Sequence, residues 1–92
     1  MVEVHRICRR LLFLMGLSPK ALQHTEAMQI VRYGPGGVFF PHIDTVNYDM
    51  PRLATVGLYL STVANGGSTI FPKAFGGKGL IVKAEAKSAI MW

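Results

Sequence analysis

The sequence predicts an α+β domain that is mainly β: an N-terminal amphipathic helix packed on an antiparallel sheet that curls into a jelly-roll-like barrel. Three observations point there. Apolar residues recur at helical spacing over residues 2–16, short runs rich in β-branched and aromatic residues fill positions 26–92, and ten glycines punctuate the 92-residue chain.

In the helix, Val4, Ile7, Cys8, Leu11, Leu12 and Met15 fall at i, i+3, i+4, i+7, i+8 and i+11, with Glu3, Arg6, Arg9 and Arg10 between them. Gly16 suits its C-terminal stop. Ser18-Pro19 can cap and open one further helical turn, which ends near His24. Six strands follow: "EAMQIVRY", "GVFFPHI", "RLATVGLYL", "STIF", "GLIV" and "SAIMW". "GPGG" at 34–37 and "NGG" at 65–67 supply the positive-φ positions of tight reversals, so most connections are expected to be short and antiparallel. Thr45 to Pro51 reads as a longer loop, placed where a mobile active-site cover could sit.

A chain of 92 residues makes one domain with a marginal core. Half of its residues are apolar and 16% are charged, a globular composition rather than a disordered one. The single cysteine, Cys8, excludes an internal disulfide framework. The net charge is +5, yet only Arg6, Arg9 and Arg10 cluster, on the polar side of the helix. No aromatic residues alternate with those charges as a stacking platform requires, so a solvated helix face is expected and not a nucleic-acid interface. No apolar run approaches the ~20 residues of a membrane-spanning helix, and with acidic Glu3 and no cleavable pattern at the amino terminus no targeting signal is expected in these residues.

The chemistry centres on His42-Ile43-Asp44. In an extended chain, residues i and i+2 project to one side, so an imidazole nitrogen and a carboxylate oxygen can reach one point. Two adjacent corners of an octahedral metal site would then be filled, as in a facial triad of two histidines and one carboxylate. The same tripeptide also suits a plainer use, with Asp44 capping a turn and His42 packing at a strand end. Phe39, Phe40, Leu58, Ile70 and Phe71 read as core or pocket wall.

The wider context carries a resemblance. "EAMQIVRYGPGGVFFPHIDT", then "RLATVGLYLSTVANGGSTIFP", then "SAIMW" resemble the catalytic domain of the prolyl 4-hydroxylases, which are Fe(II)- and 2-oxoglutarate-dependent dioxygenases. Upstream, "VHRICRRLLFLMGLS" is similar to the helix that precedes the first barrel strand of that family. The resemblance implies that residues 1–92 are part of such a domain, with a supporting helix at 2–16 and strands of an incomplete double-stranded β-helix at 26–92. It implies that His42 and Asp44 are two of three iron ligands, that Tyr33 and Tyr59 line the 2-oxoglutarate pocket, and that Thr69 lies beside that cosubstrate. Their hydroxyls would donate to a carboxylate that has left water. It further implies hydroxylation of a proline in a peptide or protein, ascorbate to rescue oxidised iron, a possible partner subunit, and the lumen of the endoplasmic reticulum as the compartment.

Departures from the family pattern matter as much. Family members carry a second histidine far downstream and, about ten residues later, a basic residue that pairs with the distal carboxylate of 2-oxoglutarate; no histidine follows Asp44 here. His5 and His24 lie upstream and read as surface or helix-end residues. In "VKAEAKSAIMW", Ala84 and Lys87 stand where the family usually has proline and glycine, so that turn is expected to differ in shape. The expectation is therefore a piece of a longer enzyme, inactive by itself, with a non-catalytic β-rich interaction module of the same fold as the alternative.

Overall fold

The computed structural model describes residues 2–45, 49 and 51–92. It is a mixed α/β chain of one long helix and short antiparallel strands, arranged in two compact units, Met1–Phe40 and Pro41–Trp92.

In the first unit, helix α1 spans Val2–Leu14. The face marked by the 3.6-residue period is the sheltered one: Leu12 is buried (8% exposed), and Val4, Cys8, Leu11 and Met15 are half-buried. Gly16, at φ +73°, takes the left-handed conformation that ends the helix. Ser18 then caps a 3-10 helix, Pro19–His24, accepting the Lys20 N–H at 3.2 Å through its hydroxyl. His24 is the last residue of that turn, and His5 and His24 are both exposed, as expected.

The first two expected strands are not formed. Among the described residues, neither 26–33 nor 37–43 contributes a strand to either sheet, and Ile30, Val31, Phe39 and Phe40 are exposed. β-propensity extends a chain, but only a lateral partner makes it a strand. Pro41, which has no N–H, also removes a ladder donor from the second segment.

Among its described residues the second unit contains four strands close to where the pattern placed them: β1 (Val56–Tyr59), β2 (Thr69–Phe71), β3 (Leu80–Val82) and β4 (Ser88–Met91). They form two antiparallel two-stranded sheets. β1 pairs with β4 (Gly57 opposite Ile90, Tyr59 opposite Ser88), and β2 pairs with β3 (Ile70 opposite Ile81). The pairing is nested, since the chain leaves the first sheet after β1, completes the second with β2 and β3, and returns for β4. Thr55 and Trp92 extend the outer ladder by one pair, with Thr55 N to Trp92 O at 2.8 Å and Trp92 N to Thr55 O at 3.0 Å.

Two tight turns hold these crossings. Gly67 (φ +71°) lies so close to Val63 that an added Cβ would stand 2.9 Å from the valine Cβ. Ala84, the second buried apolar residue at 5% exposure, accepts the Val63 N–H at 3.1 Å, and the Ala86 N–H donates to Thr62 Oγ1 at 2.9 Å. In the turn into β4, Lys87 occupies φ +66°, the left-handed region that favours glycine, while its N–H donates to Tyr59 O at 3.0 Å.

The two sheets are bridged on one face. Alternation puts Thr55, Gly57 and Tyr59 of the first ladder on the same side as Ile90 and Trp92. From β2, Thr69 and Phe71 meet that side: Tyr59 Oη is 2.7 Å from Thr69 Oγ1, and the rings of Phe71 and Trp92 meet edge to face, centroids 5.4 Å apart. Of the five apolar residues read as core or pocket wall, only Phe71 is sheltered. Leu58 and Ile70 alternate with the bridging residues and so face outward. The cover expected over Thr45–Pro51 falls largely outside the described residues; its flanks are tied by Arg52 Nη1 donating to Asp44 O at 2.7 Å.

Candidate metal centre and adjoining hydroxyl pair

His42 and Asp44 project together. His42 Nε2 is 3.1 Å from Asp44 Oδ1, with the imidazole side chain 47% and the carboxylate side chain 21% exposed. The segment that carries them is held against the β1/β4 sheet through Asp44. Asp44 Oδ2 accepts from Thr55 Oγ1 at 2.6 Å and from the Trp92 indole Nε1–H at 2.8 Å.

These contacts favour the charged carboxylate. The Thr55 hydroxyl makes the largest contribution to holding the Asp44 carboxyl below its ordinary value of 3.8; partial burial opposes it, and the Trp92 indole, His42 and Arg52 add to it. The group is thus an anion with one oxygen occupied by two neutral donors and the other facing an imidazole nitrogen.

At that distance the imidazole and the carboxylate are direct partners, an ion pair when the ring is protonated. With metal–ligand bonds of about 2.1–2.2 Å, two neighbouring corners of an octahedron lie about 3 Å apart. The observed 3.1 Å is compatible with that spacing. Among the described residues no group of three or more His, Cys, Asp or Glu side chains is assembled, so the cluster at hand is one imidazole and one carboxylate.

Tyr59 and Thr69, both expected near a cosubstrate, come together as one hydrogen-bonded pair between the sheets. Tyr33 lies in the first unit, more than half exposed, beside the GPGG turn: Tyr33 Cδ1 is 3.3 Å from where a Gly37 Cβ would be. The concave surfaces of the first unit, along Arg6, Arg9 and Phe13 and between Cys8, Leu22 and Met28, include none of the five candidates.

Three residues of the site escaped sequence reasoning: Thr55, Trp92 and Arg52. Thr55 could have been found, since it stands four residues before Tyr59 in one strand and therefore on the same face. Trp92 could not, because its face follows from the register with β1.

No family model and no solved structure matches the chain. Related proteins are found by sequence. The transmembrane prolyl 4-hydroxylase of Mus musculus is 35% identical over 88 residues, covering 74% of this chain and 18% of the relative. Prolyl 4-hydroxylase subunit alpha-1 of Homo sapiens is 33% identical over 99 residues, covering 97% of this chain and 17% of the relative. A probable prolyl 4-hydroxylase 11 of Arabidopsis thaliana is 37% identical over 73 residues, 76% of this chain and 25% of the relative. The chain therefore spans about a fifth of the length of the relatives it matches.

Proposed function

This chain belongs to the prolyl 4-hydroxylase family, and from that membership we propose that residues 1–92 are part of a catalytic domain that hydroxylates a proline in a peptide or protein, using Fe(II) and 2-oxoglutarate. Support for the barrel comes from the nested pairing, in which an outer β1/β4 pair and an inner β2/β3 pair face each other as in a jelly roll. In this reading the helix within residues 2–16 and the strands within residues 26–92 both belong to that domain.

His42 Nε2 and Asp44 Oδ1 would hold the iron. The observation that carries this reading is their 3.1 Å convergence in a chain where one carboxylate oxygen is already secured. Bound iron would supply the oxidising power for C–H hydroxylation at the expense of 2-oxoglutarate and dioxygen, with ascorbate returning oxidised metal to the ferrous state. The chain's residues orient and shield. Tyr59 and Thr69 would offer hydroxyls to a cosubstrate carboxylate, and the edge-to-face Phe71–Trp92 ring pair gives the neighbouring face an apolar flank.

Residues 45–92 contain no histidine, so the family's second histidine, and the basic residue about ten positions beyond it, have no counterpart within them. We expect them to be inactive alone and active as part of a complete domain. The relative named a subunit supports assembly with a partner subunit, and the family supports the endoplasmic reticulum lumen as the compartment. Among the described residues no helix is long and apolar enough to cross a membrane, although one relative is named transmembrane.

The test is an assay of succinate release with Fe(II), ascorbate, 2-oxoglutarate and a proline-rich peptide. Peptide-dependent release from a protein that contains these residues within a complete domain, lost on His42→Ala or Asp44→Ala, is the expected result; equal turnover by the variants refutes the site. Strong release from the isolated 92 residues refutes their inactivity. A non-catalytic interaction module of the same fold is the second reading, favoured by the two-donor cluster, and it predicts no turnover in either form.

A further inference from the structure

The two oxygens of Asp44 have different surroundings. Oδ1 faces His42 Nε2 at 3.1 Å, while Oδ2 accepts two short hydrogen bonds, 2.6 Å from Thr55 Oγ1 and 2.8 Å from Trp92 Nε1. Both donors come from one place in the fold. Thr55 and Trp92 are bonded to each other through both backbone groups, so they are directly opposed residues of an antiparallel ladder and project to the same face. The register of β1 against β4 thus delivers two donors to a single oxygen, and a one-residue slip would turn Trp92 away.

Two donors on one oxygen, each strengthened by the carboxylate charge, stop rotation of the group about its Cβ–Cγ bond. We propose that Thr55 and Trp92 are positioning residues that reserve Asp44 Oδ1, together with His42 Nε2, for a divalent cation. The proposal rests on the reading that His42 and Asp44 hold a metal. Trp92 is also the one tryptophan of the chain, which gives the arrangement a built-in optical reporter: its indole N–H shares a carboxylate with the ion.

A merely structural role makes a different forecast. If the Thr55 and Trp92 bonds only pin residues 41–44 to the sheet, their loss lowers stability but leaves the metal affinity of the folded molecules unchanged. The experiment titrates Mn(II) into the full chain to saturation, reading free ion by electron paramagnetic resonance and Trp92 emission in parallel, with circular dichroism to establish the folded fraction. The variants are His42→Ala, Asp44→Ala, Thr55→Val, Thr55→Ser and Trp92→Phe. Loss of a hydrogen bond to a ligating group typically weakens metal affinity by about 10- to 100-fold. Thr55→Val and Trp92→Phe should each weaken Mn(II) binding at least ~10-fold, and Thr55→Ser, which keeps the hydroxyl, should stay within about 2-fold of the unaltered chain.

Mn(II) should also quench Trp92 emission at the concentration that fills the site, and Asp44→Ala should abolish that quenching. If His42→Ala and Asp44→Ala bind Mn(II) like the unaltered chain, the metal reading itself fails. If those two lose binding while folded Thr55→Val and Trp92→Phe retain full affinity, the positioning inference is overturned and the metal reading survives. Should Thr55→Val not fold, emission of the unaltered chain decides: bound Mn(II) without quenching overturns the inference.

Discussion

The Tyr59 hydroxyl lies 2.7 Å from Thr69 Oγ1 and joins β1 to β2, which belong to different sheets. The bond ties the two ladders together through side chains, and it unites two residues that the family resemblance places near a cosubstrate. Tyr59→Phe and Thr69→Val should each lower stability by about 1 kcal/mol, and the double variant by less than the sum, with a coupling of about 0.5–1.5 kcal/mol. Urea denaturation of the four proteins closes this cycle; strictly additive losses would show that the two hydroxyls do not interact.

Acid should weaken the second unit through Asp44. Its carboxyl is held below the ordinary value of 3.8, chiefly by the Thr55 hydroxyl and further by the Trp92 indole, His42 and Arg52, against the opposing effect of burial. A group with a depressed folded-state pKa contributes stability above its unfolded value and loses that contribution as pH falls through the folded one. Denaturation midpoints measured from about pH 6 down to about pH 2.5 should therefore fall in the native chain below the usual carboxylate range. Asp44→Asn should be less stable than the native chain near neutrality, and the gap should close in acid. A gap that is constant with pH would remove Asp44 as the source.

Lys87 is a site for stabilisation. Its φ of +66° places a side-chain-bearing residue in the left-handed region, at a cost of about 1–2 kcal/mol. Glycine relieves that cost but loses about 0.5–1 kcal/mol more backbone entropy on folding. The balance favours Lys87→Gly by up to about 1.5 kcal/mol, and Lys87→Asn should gain part of it. Thermal melts compare the three; a lower midpoint for Lys87→Gly contradicts the strain argument.

Two glycines should respond differently to alanine. Gly67 combines φ +71° with a Val63 Cβ only 2.9 Å from the added methyl, and Gly67→Ala should cost about 2 kcal/mol or more. At Gly57 the added Cβ would meet Ile90 Cγ1 and the Trp92 ring at 3.5 Å, an ordinary contact. Gly57→Ala should change stability by less than about 1 kcal/mol. Equal effects at the two positions would be inconsistent with the packing described.

Much of this was legible from local pattern. The sheltered face of α1, the stop at Gly16, the Ser18 cap and the four strands after residue 55 all follow from interactions between residues a few positions apart. The segments 26–33 and 37–43 read wrongly for a related reason: strand-forming residues announce an extended backbone and say nothing about whether a neighbour is present to pair with it.

Sequence alone determined which residues could carry donors and which stretches would be helical or extended, because spacing along the chain sets side-chain direction. Only the tertiary structure decided which oxygen of Asp44 would be free to face His42. That choice rests on Trp92, 48 residues away, and on the β1/β4 register that turns its indole and the Thr55 hydroxyl to one face. Pairing over such a distance is settled by which ladder closes, a property that no local period contains.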